Sequence, residues 1–281
     1  MDAQQKVFTK PAPVKILEKT KETARITTIK FSLHGISPVP GQFFMVWVPG
    51  IDEIPMSVSS IDNTSGIYEI SIAAIGDATK ALCGKQPGEL IGIRGPFGNG
   101  FKLDTPEKKI CFIGGGVGMA CLKPAIDVLV KSRKDMIVVN AARTENELLY
   151  HTRFKKDLVI SKTYFISTDD GSCGEKCFGH ELLLKLIETS KLKIEKIYTC
   201  GPELMMKQVF LACKKFKINI EASLERMMRC GNGLCGLCAV DPTGLLVCKD
   251  GPIFTLDRLD KLNEFGNYTR DFSGKKLPFK K

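Results

Sequence analysis

Lys109-Ile110-Cys111-Phe112-Ile113-Gly114-Gly115-Gly116-Val117-Gly118-Met119-Ala120 runs a short apolar stretch straight into a cluster of glycines. An apolar run of that length ending at a turn reads as a buried strand, and the residues after Gly118 read as a helix. Strand, glycine turn and helix N-terminus together can receive a pyrophosphate or a flat ring, because the first helix amides are unpaired and glycine permits close approach. Gly114, Gly116 and Ala120 approximate G-x-G-x-x-G without matching it, and a tight structural turn accounts for the same letters equally well. A second turn, Cys200-Gly201-Pro202-Glu203, also follows an apolar run and precedes a helical one. In a parallel sheet both turns fall on the carboxyl edge, where open α/β sheets bind ligands.

Outward from this segment, apolar runs at Ile110 to Ile113, Met136 to Val139, Tyr164 to Ser167 and Ile197 to Cys200 alternate with helical stretches. Those stretches are Cys121 to Lys131, Glu145 to Lys156, His180 to Ser190 and Glu203 to Lys215. The alternation predicts an α/β domain, a parallel sheet with crossover helices. Toward the N-terminus the rhythm differs. Runs at Ala24 to Leu33, Phe43 to Val48, Ile67 to Ile75 and Leu90 to Ile93 are separated by Pro38-Val39-Pro40-Gly41, Pro49-Gly50 and Pro87-Gly88. Short strands at that spacing predict an antiparallel β-barrel or sandwich. Asp104-Thr105-Pro106 is the natural linker, giving a multidomain chain of residues 1–104, 105–220 and 221–281. The last part is short and dominated by Gly and Cys, so a bound metal centre rather than a core is expected to hold it.

The composition, 43% hydrophobic and 26% charged over 281 residues, is that of a soluble globular protein of two domains and an appendage. The net charge of +10 is spread along the chain, in no base-reading motif or stacking-aromatic frame, which sets nucleic-acid binding aside. A basic face for an acidic partner protein fits better. Lys275-Lys276 and Lys280-Lys281 form the one true basic cluster, a solvated end. The opening residues, Met1 to Lys6, lack the apolar core of a signal peptide, and no apolar run approaches bilayer length, so a cytoplasmic location is expected.

Eleven cysteines, odd in number and unevenly spaced, argue against a secreted disulfide framework. Four of them, Cys230, Cys235, Cys238 and Cys248, crowd into one segment with spacing C-x4-C-x2-C and a fourth cysteine soon after. This is the plant-ferredoxin ligand pattern with the last ligand unusually near, and it predicts a [2Fe–2S] cluster. Gly231, Gly233 and Gly236 fall between the ligands, where the backbone must turn its amides toward sulfur. A structural zinc site also takes four cysteines, but as two C-x2-4-C knuckles set well apart. Cys173 and Cys177 lack further ligands nearby in sequence and read as free thiols. His34, His151 and His180 show no ligand spacing.

In the barrel region Ile54-Pro55-Met56-Ser57-Val58-Ser59 and Gly76-Asp77-Ala78-Thr79 read only as turn-and-strand segments with hydroxyls available, whereas Gly95-Pro96-Phe97-Gly98-Asn99-Gly100-Phe101 and Thr168-Asp169-Asp170-Gly171-Ser172 carry a family likeness. To these add Ser223-Leu224-Glu225-Arg226-Met227, the cysteine loop, and Val247-Cys248-Lys249-Asp250-Gly251-Pro252-Ile253-Phe254. From about residue 40 to 255 the chain resembles the ferredoxin-reductase superfamily, and within it the electron-transfer subunits of type B dihydroorotate dehydrogenases. The resemblance implies a flavin-binding barrel, a nicotinamide-binding α/β domain and a [2Fe–2S] domain. It places Pro55, Met56 and Ser57 against FAD, with Ser71, Ile72, Ala73, Ala78 and Thr79 completing the site. Gly114, Gly115, Gly116, Gly118, Cys200, Gly201 and Pro202 would face NAD, and the four clustered cysteines would hold the metal centre.

The implied activity is an oxidoreductase subunit in pyrimidine biosynthesis. It takes electrons from the FMN of a dihydroorotate dehydrogenase catalytic subunit, in a heterotetramer of two copies of each, and passes them through [2Fe–2S] and FAD to NAD⁺. No side chain need act as acid or base. The same module could serve a hydrogenase or a ferredoxin–NADP oxidoreductase, and a zinc-stabilised interaction subunit without redox chemistry is the remaining alternative. One departure stands out. The superfamily's arginine before Pro-x-Ser is Ile54 here, and losing a bidentate phosphate contact costs on the order of a few kcal/mol. FMN, or weakly held FAD, is therefore the alternative occupant. Asp169-Asp170 would repel a 2′-phosphate and favour NAD, Arg143 argues the opposite way, and solvated loop charge explains both equally.

Overall fold

Strand-forming runs in the N-terminal third close on themselves. In the computed structural model, which describes residues 7–132, 135–158, 163–189, 193–271 and 273–279, six antiparallel strands form a closed barrel. They are β1 (Phe8–Lys21), β2 (Ile26–Ser32), β3 (Phe43–Val48), β4 (Asp52–Asp62), β5 (Ile67–Ala73) and β6 (Leu90–Phe97), in the order β1-β2-β5-β4-β3-β6. Inward residues such as Ile29, Phe31, Phe44, Val46, Tyr68, Ile70 and Ile93 are fully buried. Each such side chain contributes roughly 1.5–3 kcal/mol by leaving water. Helix α1 (Asp77–Gly84) follows β5 and plugs the barrel with Leu82. The sequence pattern missed β1 and did not resolve β4. Along β1 only Val14 and Ile16 turn fully inward, among lysines and prolines. β4 carries Pro55 opposite Met45 of β3.

The second part is a seven-stranded sheet. It comprises β7 (Lys109–Gly115), β8 (Asp135–Ala142), β9 (Tyr164–Thr168), β10 (Glu175–Lys176), β11 (Lys196–Cys200), β12 (Asn219–Ser223) and, antiparallel at the edge, β15 (Ile253–Thr255). The order is β10-β9-β8-β7-β11-β12-β15, so the direction of winding reverses between β7 and β11. Helices α2 (Met119–Ser132), α3 (His151–Leu158), α4 (Gly179–Thr189) and α5 (Glu203–Phe216) cross between strands. Alternate strand residues serve the two faces. On β7, Ile110 and Phe112 join the core under α2 and α3, while Cys111 and Ile113 join the core under α4 and α5.

Two expectations need correction. The predicted helix from Glu145 begins only at His151, because Leu148, Leu149 and Tyr150 dive into the core and Tyr150 takes a positive φ of 58°. The Leu149 carbonyl there accepts a hydrogen bond from Asn140 Nδ2 at 2.9 Å. The last region was expected to bury little. Instead Leu224, Val240, Val247, Phe254, Leu259 and Phe265 complete the core under α5. Within that region lie the hairpin β13 (Ala239–Val240) and β14 (Leu245–Leu246), the short helices α6 (Val247–Asp250) and α7 (Leu256–Leu259), and a hairpin of β16 (Tyr268–Arg270) and β17 (Lys276–Pro278). Residue 220 lies inside β12, so the third region shares its first residues with the sheet. Met1 to Lys6, Ser190 at the end of the third predicted helix, and Lys280-Lys281 lie outside the described residues. Among the described residues no helix is long and apolar enough to cross a membrane.

A buried ion pair clamps the barrel exit to the sheet. Lys196 Nζ lies 2.8 Å from Glu221 Oε1, both side chains being at least nine-tenths buried, and Glu221 Oε2 accepts from the Lys102 amide at 2.9 Å. Removing one partner of a buried pair strands the other charge, which typically costs about 3–5 kcal/mol. Lys196→Met should therefore lower the urea midpoint by that equivalent, whereas exposed Lys215→Met, cut from its pair with Glu188, should shift it by less than about 1 kcal/mol.

Candidate functional site

The reversal of winding between β7 and β11 opens a crevice at the carboxyl edge of the sheet, and the barrel closes its other wall. Register pairs Gly114 with Cys200, so the two glycine-bearing turns emerge side by side. Close approach demands the glycine at Gly118: an added Cβ would meet the Cys200 carbonyl at 2.5 Å. Between these turns and barrel strands β4 and β5 lies a cleft of about 230 Å³, open to solvent. Pro55, Met56, Ser57, Ser71, Ala73 and Thr79 line it from the barrel side, and Gly118 and Cys200 from the sheet side. Ile72 faces the barrel interior and is fully buried. Ala78, Gly114, Gly115, Gly116, Gly201 and Pro202 are not among the residues that line it.

Ala120, the last position of the approximate glycine pattern, also lines the cleft, and residues to which the sequence assigned no role complete the walls: Phe43, Cys121, Ser223, Glu225, Arg226, Met228 and Pro252 among them. They come from four separate elements, which is why spacing could not join them. Ser223 to Arg226 stood out in the sequence for family likeness alone, with no chemistry attached. At the floor, Cys121 Sγ lies 3.4 Å from Ser223 Oγ. Cys200 shares a hydrogen bond with Cys121 and is deeply buried, and both effects hold its thiol protonated. An apolar cleft carrying neutral hydroxyls and a neutral thiol suits a flat aromatic ring system with a polar edge, which is what a flavin presents. Arg226, also in the cleft wall, has its charge paired by Glu203, at 2.6 Å, and by buried Glu264.

The cysteine loop is seated on the barrel beside this cleft. Arg94 on β6 forks onto Glu53 of β4 with two 2.6 Å bonds, and its remaining nitrogen donates to the Cys230 carbonyl at 3.1 Å. Gly231, Gly233 and Gly236 all take φ between +73° and +85°, a region that side chains with a Cβ resist. The turns they make aim amides at sulfur. Leu234 N–H donates to Cys230 Sγ at 3.2 Å, Gly233 N–H to Cys248 Sγ at 3.2 Å, and Cys248 N–H to Cys238 Sγ at 3.4 Å. Burial opposes ionisation of Cys230, yet the amides of Cys235, Asn232 and Leu234 outweigh it and bring the thiol down to about 7. Cys238 falls to about 6, chiefly because the Cys248 thiol donates to it.

The four sulfurs therefore make two contacting pairs, Cys230 with Cys235 and Cys238 with Cys248. Among the described residues no three of them lie within 4.8 Å of one another. A single tetrahedral zinc, bound at about 2.3 Å, would gather all four more tightly. Two thiol pairs with amides directed at sulfur fit a two-iron centre, one pair to each iron. Cys238 and Cys248 are buried, while Cys235 is exposed and its neighbour Leu234 is 85% exposed.

Replacing Cys235 by Ser should abolish iron and acid-labile sulfide while leaving the sheet domain folded, as judged by metal analysis and circular dichroism. In the metal-free chain, iodoacetamide labelling of Cys230 should slow about tenfold per unit as pH falls below 7 and level off above it, since only the thiolate reacts.

Comparison with known proteins agrees with this geometry. Residues 225–260 match the iron–sulfur cluster binding domain of dihydroorotate dehydrogenase B, and residues 112–210 match the oxidoreductase NAD-binding domain. The solved structure of an NADH-dependent reduced ferredoxin–NADP oxidoreductase, a flavin-based bifurcating system, includes a chain that superposes with a TM-score of 0.79 at 28% identity, covering 90% of this chain and 92% of that one. Phthalate dioxygenase reductase shares the fold, with a TM-score of 0.59 over 71% of this chain and 63% of its own. Two curated relatives carry the description probable dihydroorotate dehydrogenase B (NAD⁺), electron transfer subunit. That of Methanocaldococcus jannaschii is 39% identical over 95% of this chain and 98% of the relative. That of Methanothermobacter thermautotrophicus is 40% identical over 96% of this chain and 98% of the relative. Kinship at this level along nearly the whole of both relatives, from barrel to cysteine loop, establishes that the chain belongs to the dihydroorotate dehydrogenase B electron transfer subunit family.

Proposed function

We propose that the chain accepts electrons from the flavin of a dihydroorotate dehydrogenase catalytic partner and delivers them, by way of a [2Fe–2S] centre and FAD, to NAD⁺. The observation that carries the reading is the seating of four paired thiols against the barrel wall of the flavin cleft, beside the carboxyl edge of a nucleotide-binding sheet. A flavin in this position supplies exchange between single-electron and hydride transfer. The protein's part is to bind and orient. Ser57 offers its hydroxyl to the polar edge of the ring system, Ser71 and Thr79 are fixed in the wall by their own bonds to Thr28, Ser59 and Tyr150 and to the Gly76 backbone, and Pro55, Met56 and Ala73 offer apolar walls. Gly118 and Cys200 keep the facing surface thin, so that a nicotinamide can reach the cleft from the sheet side.

Ile54 packs against the barrel core and holds no phosphate. The neighbouring basic group, Arg94, is committed to Glu53 and the cysteine loop. The first turn of α1 remains, with Thr79 in the cleft wall, and its unpaired amides are the groups that would receive the pyrophosphate of FAD. A heterotetramer with two copies of each subunit is the proposed assembly. Dihydroorotate-dependent reduction of NAD⁺ by the two subunits together, lost when this chain is left out, tests the reading. Protein that stays colourless and iron-free after anaerobic reconstitution would defeat it. A second reading, a subunit of a ferredoxin–NADP oxidoreductase, is favoured by the 0.79 TM-score superposition, and the catalytic subunit that copurifies from native cells decides between the two.

Nucleotide choice has a concrete determinant. Arg143, at the carboxyl end of β8 where a 2′-phosphate would be met, is engaged by Glu147 through bonds of 2.9 and 2.8 Å. Asp169 follows β9 alongside, its amide donating to the Ala142 carbonyl. The arginine is thus neutralised, and NAD is the proposed partner. Glu147→Gln should release Arg143 and improve kcat/KM for NADPH by roughly fivefold with little change for NADH, a ratio read from steady-state assays of NAD(P)H oxidation.

A further inference from the structure

Glu145, His151 and Cys173 come from three separate segments and converge on one point. One carboxylate oxygen, one ring nitrogen and one sulfur lie within 4.8 Å of one another. The place is distinct from the cysteine loop and from the flavin cleft: it lies where the connections after β8 and β9 meet the start of α3. Each ligand is held from behind. The Glu145 amide donates to Ser172 Oγ at 2.7 Å. Cys173 is locked to Thr168 by a reciprocal pair, its amide donating to Oγ1 at 3.0 Å and its carbonyl accepting from Oγ1 at 2.8 Å. The next residue, Gly174, has φ +71° and lies so near the Ile166 carbonyl that a Cβ there would meet it at 2.2 Å, which fixes the path of the loop. His151 Nδ1 lies 3.2 Å from the Tyr164 hydroxyl, which in turn accepts from Asn140 Nδ2 at 2.9 Å.

We infer that this triad is a second metal site, selective for Zn²⁺, with three protein ligands and a fourth position left to water. Thiolate, imidazole and carboxylate together match a borderline-soft ion that accepts four-coordination. The Asn140–Tyr164–His151 chain is the outer support that metal-ligating histidines ordinarily have. A bound ion would clip the 169–178 connection to α3, cross-linking the loops that follow β8 and β9.

The test uses the holoprotein with its iron and sulfide counted before and after. With zinc chloride alone as the probe, one zinc per chain should survive desalting from about 1 µM solution, with iron and sulfide unchanged. X-ray absorption at the zinc edge should show one sulfur at about 2.3 Å and nitrogen or oxygen at about 2.0 Å. Cys173→Ser and His151→Gln should abolish retention, and Tyr164→Phe should weaken binding about 10- to 100-fold. Cys177→Ser, outside the triad, should bind as the parent does. Failure to retain zinc, a four-sulfur shell marking the cysteine loop instead, or retention unchanged in Cys173→Ser with its melting curve intact would each overturn the assignment.

Discussion

The guanidinium of Arg94 joins two parts of the molecule that must stay in contact for electrons to cross it. Its fork reaches across β3 to grip Glu53 on β4, and its remaining nitrogen holds the Cys230 carbonyl. A planar group with fixed donor directions suits this double duty, and a lysine could not fill it. Around this junction Gly231 sits so close to Met45 that a Cβ would meet its Cγ at 2.7 Å. The loop that carries the thiols is therefore pressed onto the barrel, next to Phe43, which lines the cleft. Proximity of the two redox sites follows from packing and one ion pair.

The sheet supplies the other constraint. Because β15 pairs antiparallel with β12, the chain that leaves the sheet at Ser223 returns to the same edge at Ile253. The whole cysteine segment is an excursion between two anchored strands. That closure explains how a short region rich in glycine can be ordered by the protein's own core, with Val247 and Phe254 fully buried beneath α5. Metal binding then acts on a loop whose ends are already placed, which lowers the ordering entropy that binding must overcome.

What could be read from sequence was local chemistry. The C-x4-C-x2-C spacing, its interleaved glycines and the two glycine turns each announce themselves within a dozen residues, and the α/β alternation followed from apolar runs of standard length. What escaped was set by tertiary context. β1 is long, lysine-rich and inward-facing at few positions, and its strand character comes from pairing with β2 and β6. The helix expected from Glu145 lost its first turn because Leu149 and Tyr150 serve the core. The far wall of the cleft, with Cys121 on α2 and Ser223 to Arg226 after β12, unites residues about a hundred positions apart. Local spacing carries no trace of such a pairing.

Exposure of Leu234 beside Cys235 bears on how the subunit lives outside its complex. Two of the four sulfurs are sealed in the core, but the Cys235 corner is open to bulk water, beside a leucine that is itself 85% exposed. Dioxygen, chelators and oxidants all gain access from that side. The free subunit is thus its own most perishable form, and shelter of this corner by a docked protein would convert a labile centre into a durable one.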